Sequence, residues 1–358
     1  MATFVIIGII LCAMHPVTII ANLLTIIAFM KVPSLQTHTS NLLIFALSIA
    51  DLICGVYQIL YYGIPFAFGL RPPLGEIGCM MTIPFERVYY AGNLLLLAIS
   101  IDRVLLVSMD YSKYVKMITK LRLKVTIVIC FLVGQIPAVV ELSTWNYAKR
   151  VNANAASINF EEVCLYPAVR LKWYSVFSSI WVFFMPPLLV GTFSIIFFKR
   201  LLIRINKNRR VVPDTDSSNR RASGNQDEIA RPPVADEDET AKKRYIKPAV
   251  TLAALVSAMC ISMLPNFIYR LVQALRQKLN PSLSYIMWLI LQLNPFLDPL
   301  FFAATQKGIK EFYGKKIRAL FAGLLLFIII TNIYQFIIFA LSNLLLCNTF
   351  CVQFETNW

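Results

Sequence analysis

Residues 94–104 read Leu-Leu-Leu-Leu-Ala-Ile-Ser-Ile-Asp-Arg-Val, and this stretch decides the fold. Asp102 and Arg103 stand side by side at the end of an apolar segment that runs back to Cys79 with few interruptions. In a bilayer every backbone polar group must be satisfied internally, so the segment is predicted to be a helix that leaves the hydrocarbon at the charged pair. Arg103 is then either an anchor reaching the membrane surface or a functional group facing the interior of a helix bundle.

The composition of the whole chain indicates a membrane protein. Of 358 residues, 58% are hydrophobic and only 15% are charged, and the mean hydropathy is +0.66. Such a chain is too apolar for an ordinary soluble domain. The net charge is +15, but the basic residues cluster beside apolar segments, which is typical of membrane topology signals. We therefore expect contact with membrane lipid and no nucleic-acid partner.

Cysteine and histidine usage argues against a resident metal or cofactor. The eight cysteines include no CxxC pair, and His15 and His38 are the only histidines. Zinc and copper sites need clusters of these ligands at close spacing. The sequence predicts no cofactor, and no arrangement of nucleophile, base and oxyanion donors that would make the chain an enzyme.

Seven apolar stretches are long enough to span a bilayer as helices. They lie at about residues 3–30, 41–62, 79–106, 125–142, 173–198, 248–275 and 284–304. Basic residues concentrate after the first, third, fifth and seventh stretches, which predicts that these ends are cytoplasmic and the amino terminus is outside. The predicted fold is an all-α, polytopic seven-helix bundle over residues 3–318.

Two segments fall outside this pattern. Residues 211–239 are rich in Pro, Asp, Ser and Arg, which predicts a disordered cytoplasmic loop with Ser223 in a basophilic kinase site. The basic run after residue 304 is predicted to form a short amphipathic eighth helix. Residues 319–346 are predicted to form an additional apolar helix of uncertain topology, long enough to span.

Several short motifs occur in order along these segments. They are Asn22, Leu47-Ser48-Ile49-Ala50-Asp51, Cys79 with Cys164, Asp102-Arg103-Val104, Pro186, Pro265, and Asn294-Pro295-Phe296-Leu297-Asp298-Pro299. Together they resemble the rhodopsin-like family of G protein-coupled receptors, most of all its amine-type receptors, over residues 3–318. The resemblance implies a multi-pass plasma membrane receptor whose partners are a small extracellular ligand and a heterotrimeric G protein.

The resemblance also implies roles for particular residues. Asp102 and Arg103 are expected to couple to the G protein, and Cys79 and Cys164 to form an extracellular disulfide. Asp51 and Asp298 are two intramembrane acids, which cannot both ionise cheaply when close together. We therefore predict a sodium- and proton-sensitive pocket formed by Asp51, Asn294 and Asp298, and no other metal.

The ligand site is less strongly determined by the sequence. Counted from Cys79, Glu86 occupies the position where amine receptors bind the ligand's ammonium, whereas counting back from Arg103 gives Phe85 instead. Arg87 and Arg270 are both candidate partners for Glu86. The remaining predicted ligand contacts are Ser178, Ser179, Asn266 and Phe267.

Two departures from the family pattern keep other functions open. Met263 replaces the usual tryptophan of the sixth helix, and Phe302 replaces the tyrosine that ends the seventh-helix motif. The interpretations are a receptor for a biogenic amine, a receptor for a peptide or lipid, and a receptor that does not signal. An ion-coupled transporter is the alternative from another class, although the seven segments contain no internal repeat.

Overall fold

Seven membrane spans form the framework of the described part of the protein. The computed structural model describes residues 2–37, 39–70, 74–152, 171–211, 235–276 and 281–312, and every regular element in them is helical. The spans are Val5–Lys31, Asn41–Phe68, Ile77–Ser108, Lys120–Tyr147, Lys172–Arg204, Ala249–Val272 and Ile286–Ala304. They confirm the predicted all-α, multi-pass architecture, and all seven lie in the first of two compact units, Met1–Lys310 and Glu311–Trp358.

The described residues form a series of helices, and two π-helical segments among them lie beside prolines. The helices are Ala2–Lys31, Pro33–Thr37, Asn41–Gln58, Ile64–Phe68, Gly75–Ser108, Tyr111–Met117, Lys120–Gly134, Ile136–Asn152, Lys172–Ser178, Met185–Val211, Ala235–Arg276, Pro281–Leu291, Leu293–Thr305 and Lys307–Phe312. Two π-helical segments, Ile59–Gly63 and Ser179–Phe184, end just before Pro65 and Pro186. Proline lacks an N–H and crowds the preceding turn, so a widened turn relieves the mismatch without ending the span.

The third span lies at the centre of the bundle. It packs against the second, fourth, fifth and sixth spans, and the first span packs against both the second and the seventh. In the most apolar window of each span, 61% of the second and 56% of the third are buried, against 28% of the fourth. The fourth span is therefore peripheral, and residues of the third span are the ones best placed for a shared interior site.

The sequence and the structure differ at the boundaries of two segments. The helix carrying the sixth span begins at Ala235, so residues 235–239 of the predicted loop are helical. Residues 236–239 are four consecutive acids, and acids in a first turn favour a helix through its dipole. The short eighth helix is present at Lys307–Phe312. The rest of the predicted loop, with Ser223, and the apolar segment 319–346 lie outside the described residues.

Gly134 permits a very close approach between the fourth and third spans. A Cβ at this position would lie 2.8 Å from the Ala91 nitrogen and 3.0 Å from its Cα. Both atoms belong to backbone, which has little freedom to move away. Gly191 in the fifth span offers the opposite case, since a Cβ there would meet nothing within 4 Å.

We therefore expect Gly134→Ala to destabilise the protein and Gly191→Ala not to. Overpacking a tight interface costs about 1–3 kcal/mol. The measurement is the thermal unfolding midpoint of the purified protein, with Gly191→Ala as the control for the change in helix propensity. Equal midpoints for the two variants would contradict the close approach.

Candidate functional site

A narrow cavity opens between the spans near the beginning of the third span, which we call the pocket end. The empty space between its lining residues is about 300 Å³, a figure that includes open solvent beyond the mouth. The wall consists of five aromatic side chains, two amides, one leucine and two charged groups: Tyr57, Tyr89, Tyr90, Phe183, Trp288, Gln58, Gln292, Leu291, Glu86 and Arg270. Aromatic side chains with a few convergent polar groups are a common lining of small-molecule sites.

The structure resolves which residue of the third span faces this cavity. Glu86 lines it, whereas the Phe85 side chain is 47% exposed on the outer surface of the span. At this level of the third span, the residue that faces the cavity is therefore the one found by counting from Cys79. Arg270 also lines the cavity, but of the two candidate partners for Glu86 it is Arg87 that forms the ion pair, at 3.3 Å between Nη1 and Oε1.

A buried charge network supports this wall of the cavity. Arg87 forms its second ion pair with Glu141 of the fourth span, and Tyr174 of the fifth span donates to Glu141 Oε2 at 2.9 Å. Arg87 also donates to the Tyr90 hydroxyl at 3.0 Å. Arg87, Glu141 and Tyr174 are all at least 96% buried. The network joins three spans around a single guanidinium.

The other predicted ligand contacts do not line this cavity. Ser178 and Ser179 are buried, and their hydroxyls donate to the Ser175 carbonyl at 3.2 and 2.6 Å. The Asn266 amide bridges the sixth span to the helix Pro281–Leu291 by donating to the carbonyls of Ser262 and Met287. The Phe267 ring stacks on Phe184 with centroids 4.9 Å apart. Their roles in ligand binding remain predictions.

A second polar cluster lies deeper in the bundle. Asp51, Asn294 and Asp298 are buried, at 5%, 3% and 0% exposure, and the two carboxyl groups interact electrostatically. One oxygen of Asp51, both oxygens of Asp298 and the Asn294 carbonyl oxygen have no hydrogen-bond partner. Unpartnered buried carboxyl oxygens are costly, so this cluster calls for a proton or a cation. No cluster of three or more His, Cys, Asp or Glu occurs in the described part of the chain.

The opposite end of the third span, which we call the Arg103 end, carries the charged pair. Arg103 Nε lies 3.9 Å from Asp102 Oδ2, and both residues are buried. Tyr114, on the short helix Tyr111–Met117, donates to Asp102 Oδ1 at 2.7 Å. Burial raises the pKa of the Tyr114 hydroxyl, and the Asp102 carboxylate raises it further, so Tyr114 stays protonated as this donor at neutral pH.

Arg204 of the fifth span caps the carboxyl end of the helix that forms the third span. Its Nη1 donates to the carbonyls of Leu106, Val107 and Met109 at 3.5, 3.1 and 3.3 Å. The last carbonyls of a helix have no intrahelical partner, and a cation there also complements the helix dipole. Arg204 thus supplies donors that the third span cannot supply itself.

Sequence reasoning missed Glu141, Tyr114 and the part played by Arg204. A lone acid within the fourth apolar stretch was a usable signal for Glu141, because intramembrane acids normally have a partner. Neither Tyr114 nor Arg204 belongs to a motif that would have distinguished it. Cys79 is disulfide-bonded, and its predicted partner Cys164 lies outside the described residues.

Comparison with known proteins agrees with a bundle of seven membrane spans. The profile of the family described as "7 transmembrane receptor (rhodopsin family)" matches residues 21–302, and the chain belongs to this family. Among individual relatives, the adenosine receptor A3 of Canis lupus familiaris is 24% identical over 82% of this chain and 85% of its own length. The adenosine receptor A3 of Bos taurus is also 24% identical, over 82% and 84%.

Arg87 pairs with the fully buried Glu141 and with the partly buried Glu86, so we expect Arg87→Leu to destabilise the receptor strongly. Breaking a buried ion pair by removing one partner costs about 3–5 kcal/mol. The thermal unfolding midpoint is the measurement, and Phe85→Leu on the outer face of the same helix is the control. The double variant Arg87→Leu with Glu141→Leu should recover part of the loss. A single variant as stable as Phe85→Leu would rule out a structural role for the network.

Proposed function

We propose that the protein is a plasma membrane receptor that binds a small extracellular ligand at the pocket end and activates a heterotrimeric G protein at the Arg103 end. The observation that carries the proposal is the buried Asp102–Arg103 pair, at the end of the central span of a chain in the rhodopsin family. A charged pair inside a membrane bundle is costly to maintain unless it is used. The family membership makes coupling to a G protein that use.

The proposed orientation places the pocket end outside the cell and the Arg103 end in the cytoplasm. It is supported by the basic residues that follow the first and third spans, including Lys31, Lys113 and Lys116. With this orientation the mouth of the cavity is open to extracellular ligands. The proposed receptor domain is residues 3–318, and Ser223 is proposed as a regulatory phosphorylation site.

Two ligand classes have support. Glu86 in the cavity wall favours a ligand with a cationic amine, as in the amine receptors that the motifs resemble. The relatives named adenosine receptors favour a purine nucleoside. Adenosine and a panel of biogenic amines are therefore the first probes. Peptide and lipid ligands are the alternatives if both classes fail.

Arg103→Ala is expected to reduce ligand-stimulated nucleotide exchange roughly tenfold or more while leaving ligand binding intact. The reason is that Arg103 is proposed to contact the G protein and lies far along the span from the cavity. The measurement is nucleotide exchange across the main Gα classes with adenosine and the amines as probes. Lys31→Ala, an exposed charge removal on the same side, is the control. Undiminished exchange in Arg103→Ala at equal surface expression would contradict the assignment.

The cluster of Asp51, Asn294 and Asp298 is proposed to bind sodium. Sodium should raise the thermal unfolding midpoint relative to choline at equal ionic strength, because a cation bound only to the folded state stabilises it. The gain is about 0.4 kcal/mol when sodium is present at its Kd. Asp51→Asn and Asp298→Asn should each remove the difference.

Asp110→Asn is the matched control for the sodium experiment, since Asp110 is an exposed acid outside the spans. It should keep the full difference between sodium and choline. A receptor whose midpoint is the same in both salts, with Asp51→Asn without effect, would mean that the cluster is only a hydrogen-bonded polar group.

A further inference from the structure

The cavity wall holds two opposite charges that are not paired with each other. Glu86 contributes a carboxylate from the third span and Arg270 a guanidinium from the sixth. We propose that the cavity binds a small aromatic zwitterion, whose ammonium group pairs with Glu86 and whose carboxylate pairs with Arg270. This inference rests on the proposed function as a ligand-binding receptor and names the chemical class of the ligand.

Glu86 has one carboxylate oxygen that can accept a hydrogen bond from a ligand. Its Oε1 faces Arg87, but Oε2 is buried without a hydrogen-bond partner. Arg87 is shared, because it also pairs with the fully buried Glu141. One guanidinium therefore serves two carboxylates, which leaves an excess of one negative charge when both are ionised. A ligand ammonium at Glu86 would satisfy the free oxygen and balance that excess.

Arg270 has capacity for an anion. No ion pair joins its guanidinium to Glu86 or to any other carboxylate in the described part of the chain. The guanidinium lies 5.4 Å from the centroid of Phe183, a cation–π contact that leaves its edge donors for another group. The fork of an arginine matches a carboxylate geometrically. Tyr90, Glu86 and Arg270 all line the same cavity.

Charge balance favours a zwitterion over a simple amine. Glu86, Glu141, Arg87 and Arg270 sum to zero when all are ionised. A zwitterion preserves this neutrality while pairing each free group, whereas an amine would leave a net positive charge and a carboxylic acid a net negative one. Uncompensated charge is costly inside a membrane bundle. The aromatic side chains of the wall, among them Tyr57 and Trp288, favour an aromatic ring on the ligand.

The test uses matched probes that differ only in charge. Tyrosine, tyramine and 3-(4-hydroxyphenyl)propionate form one triple, and tryptophan, tryptamine and indole-3-propionate form another. Binding to the full-length purified receptor is measured as the concentration dependence of its thermal unfolding midpoint. We expect the amino acid of at least one triple to bind roughly tenfold or more tightly than both of its analogues, because each analogue lacks one charged contact.

Variants assign each charge to its residue. In Glu86→Gln the amino acid should bind no more tightly than its carboxylic acid analogue. In Arg270→Gln the amino acid should bind no more tightly than its amine analogue. Arg270→Lys keeps the charge and should retain part of the preference, which guards against a folding defect. Phe85→Leu should leave all affinities unchanged, since this side chain points away from the cavity.

Three results would overturn the inference. The first is that an amine binds as tightly as its amino acid and that Arg270→Gln has no effect on either. The second is that adenosine binds and that its affinity depends on neither Glu86 nor Arg270. The third is that the folded receptor binds no member of either triple. Because the binding measurement needs no G protein, the two proposals fail separately. An amino acid that binds without stimulating exchange would contradict the signalling proposal alone, and an amine that stimulates exchange independently of Arg270 would contradict the zwitterion alone.

Discussion

The absence of water in the hydrocarbon core is the constraint on which the whole structure depends. Each backbone N–H and C=O must find a partner within the protein, so the chain crosses the membrane only as helices. Even the irregular segments obey this constraint. The π-helical turns before Pro65 and Pro186 remain within continuous spans, and side chains of neighbouring spans reach backbone carbonyls, as Gln135 does at Pro84, with 3.1 Å between Nε2 and the carbonyl oxygen.

The same constraint explains where the charges lie. A charged side chain in this interior is stable only when another group compensates its charge. In the described spans, ionisable groups interact with one another at three depths. Arg87 joins two glutamates near the pocket end, Asp51 and Asp298 interact electrostatically deeper in the bundle, and Asp102 pairs with Arg103 at the far end. The third span contributes to the first and last of these groups, which fits its central position.

The sequence predicted the architecture well because spanning length and apolar composition are local properties. It also identified Asp51, Asp298 and Arg103 as buried polar groups, since an ionisable residue in an apolar stretch is conspicuous by itself. It did not predict that Glu141 meets Arg87. These residues are 54 positions apart, and their contact depends on the rotation of two helices about their axes. The choice between Glu86 and Phe85 was open for the same reason, because neighbouring residues of a helix point in directions about 100° apart.

The contacts of Arg204 restrict how the fifth span can move against the third. Its guanidinium is held by three carbonyls whose positions are fixed by the end of the third span. Sliding the fifth span along its axis by one residue, about 1.5 Å, would strain these bonds, the longest of which is already 3.5 Å. Rotation or tilting about this point moves the guanidinium far less. These contacts therefore oppose a slide of the fifth span past the third more than they oppose a tilt about the point where the two spans meet.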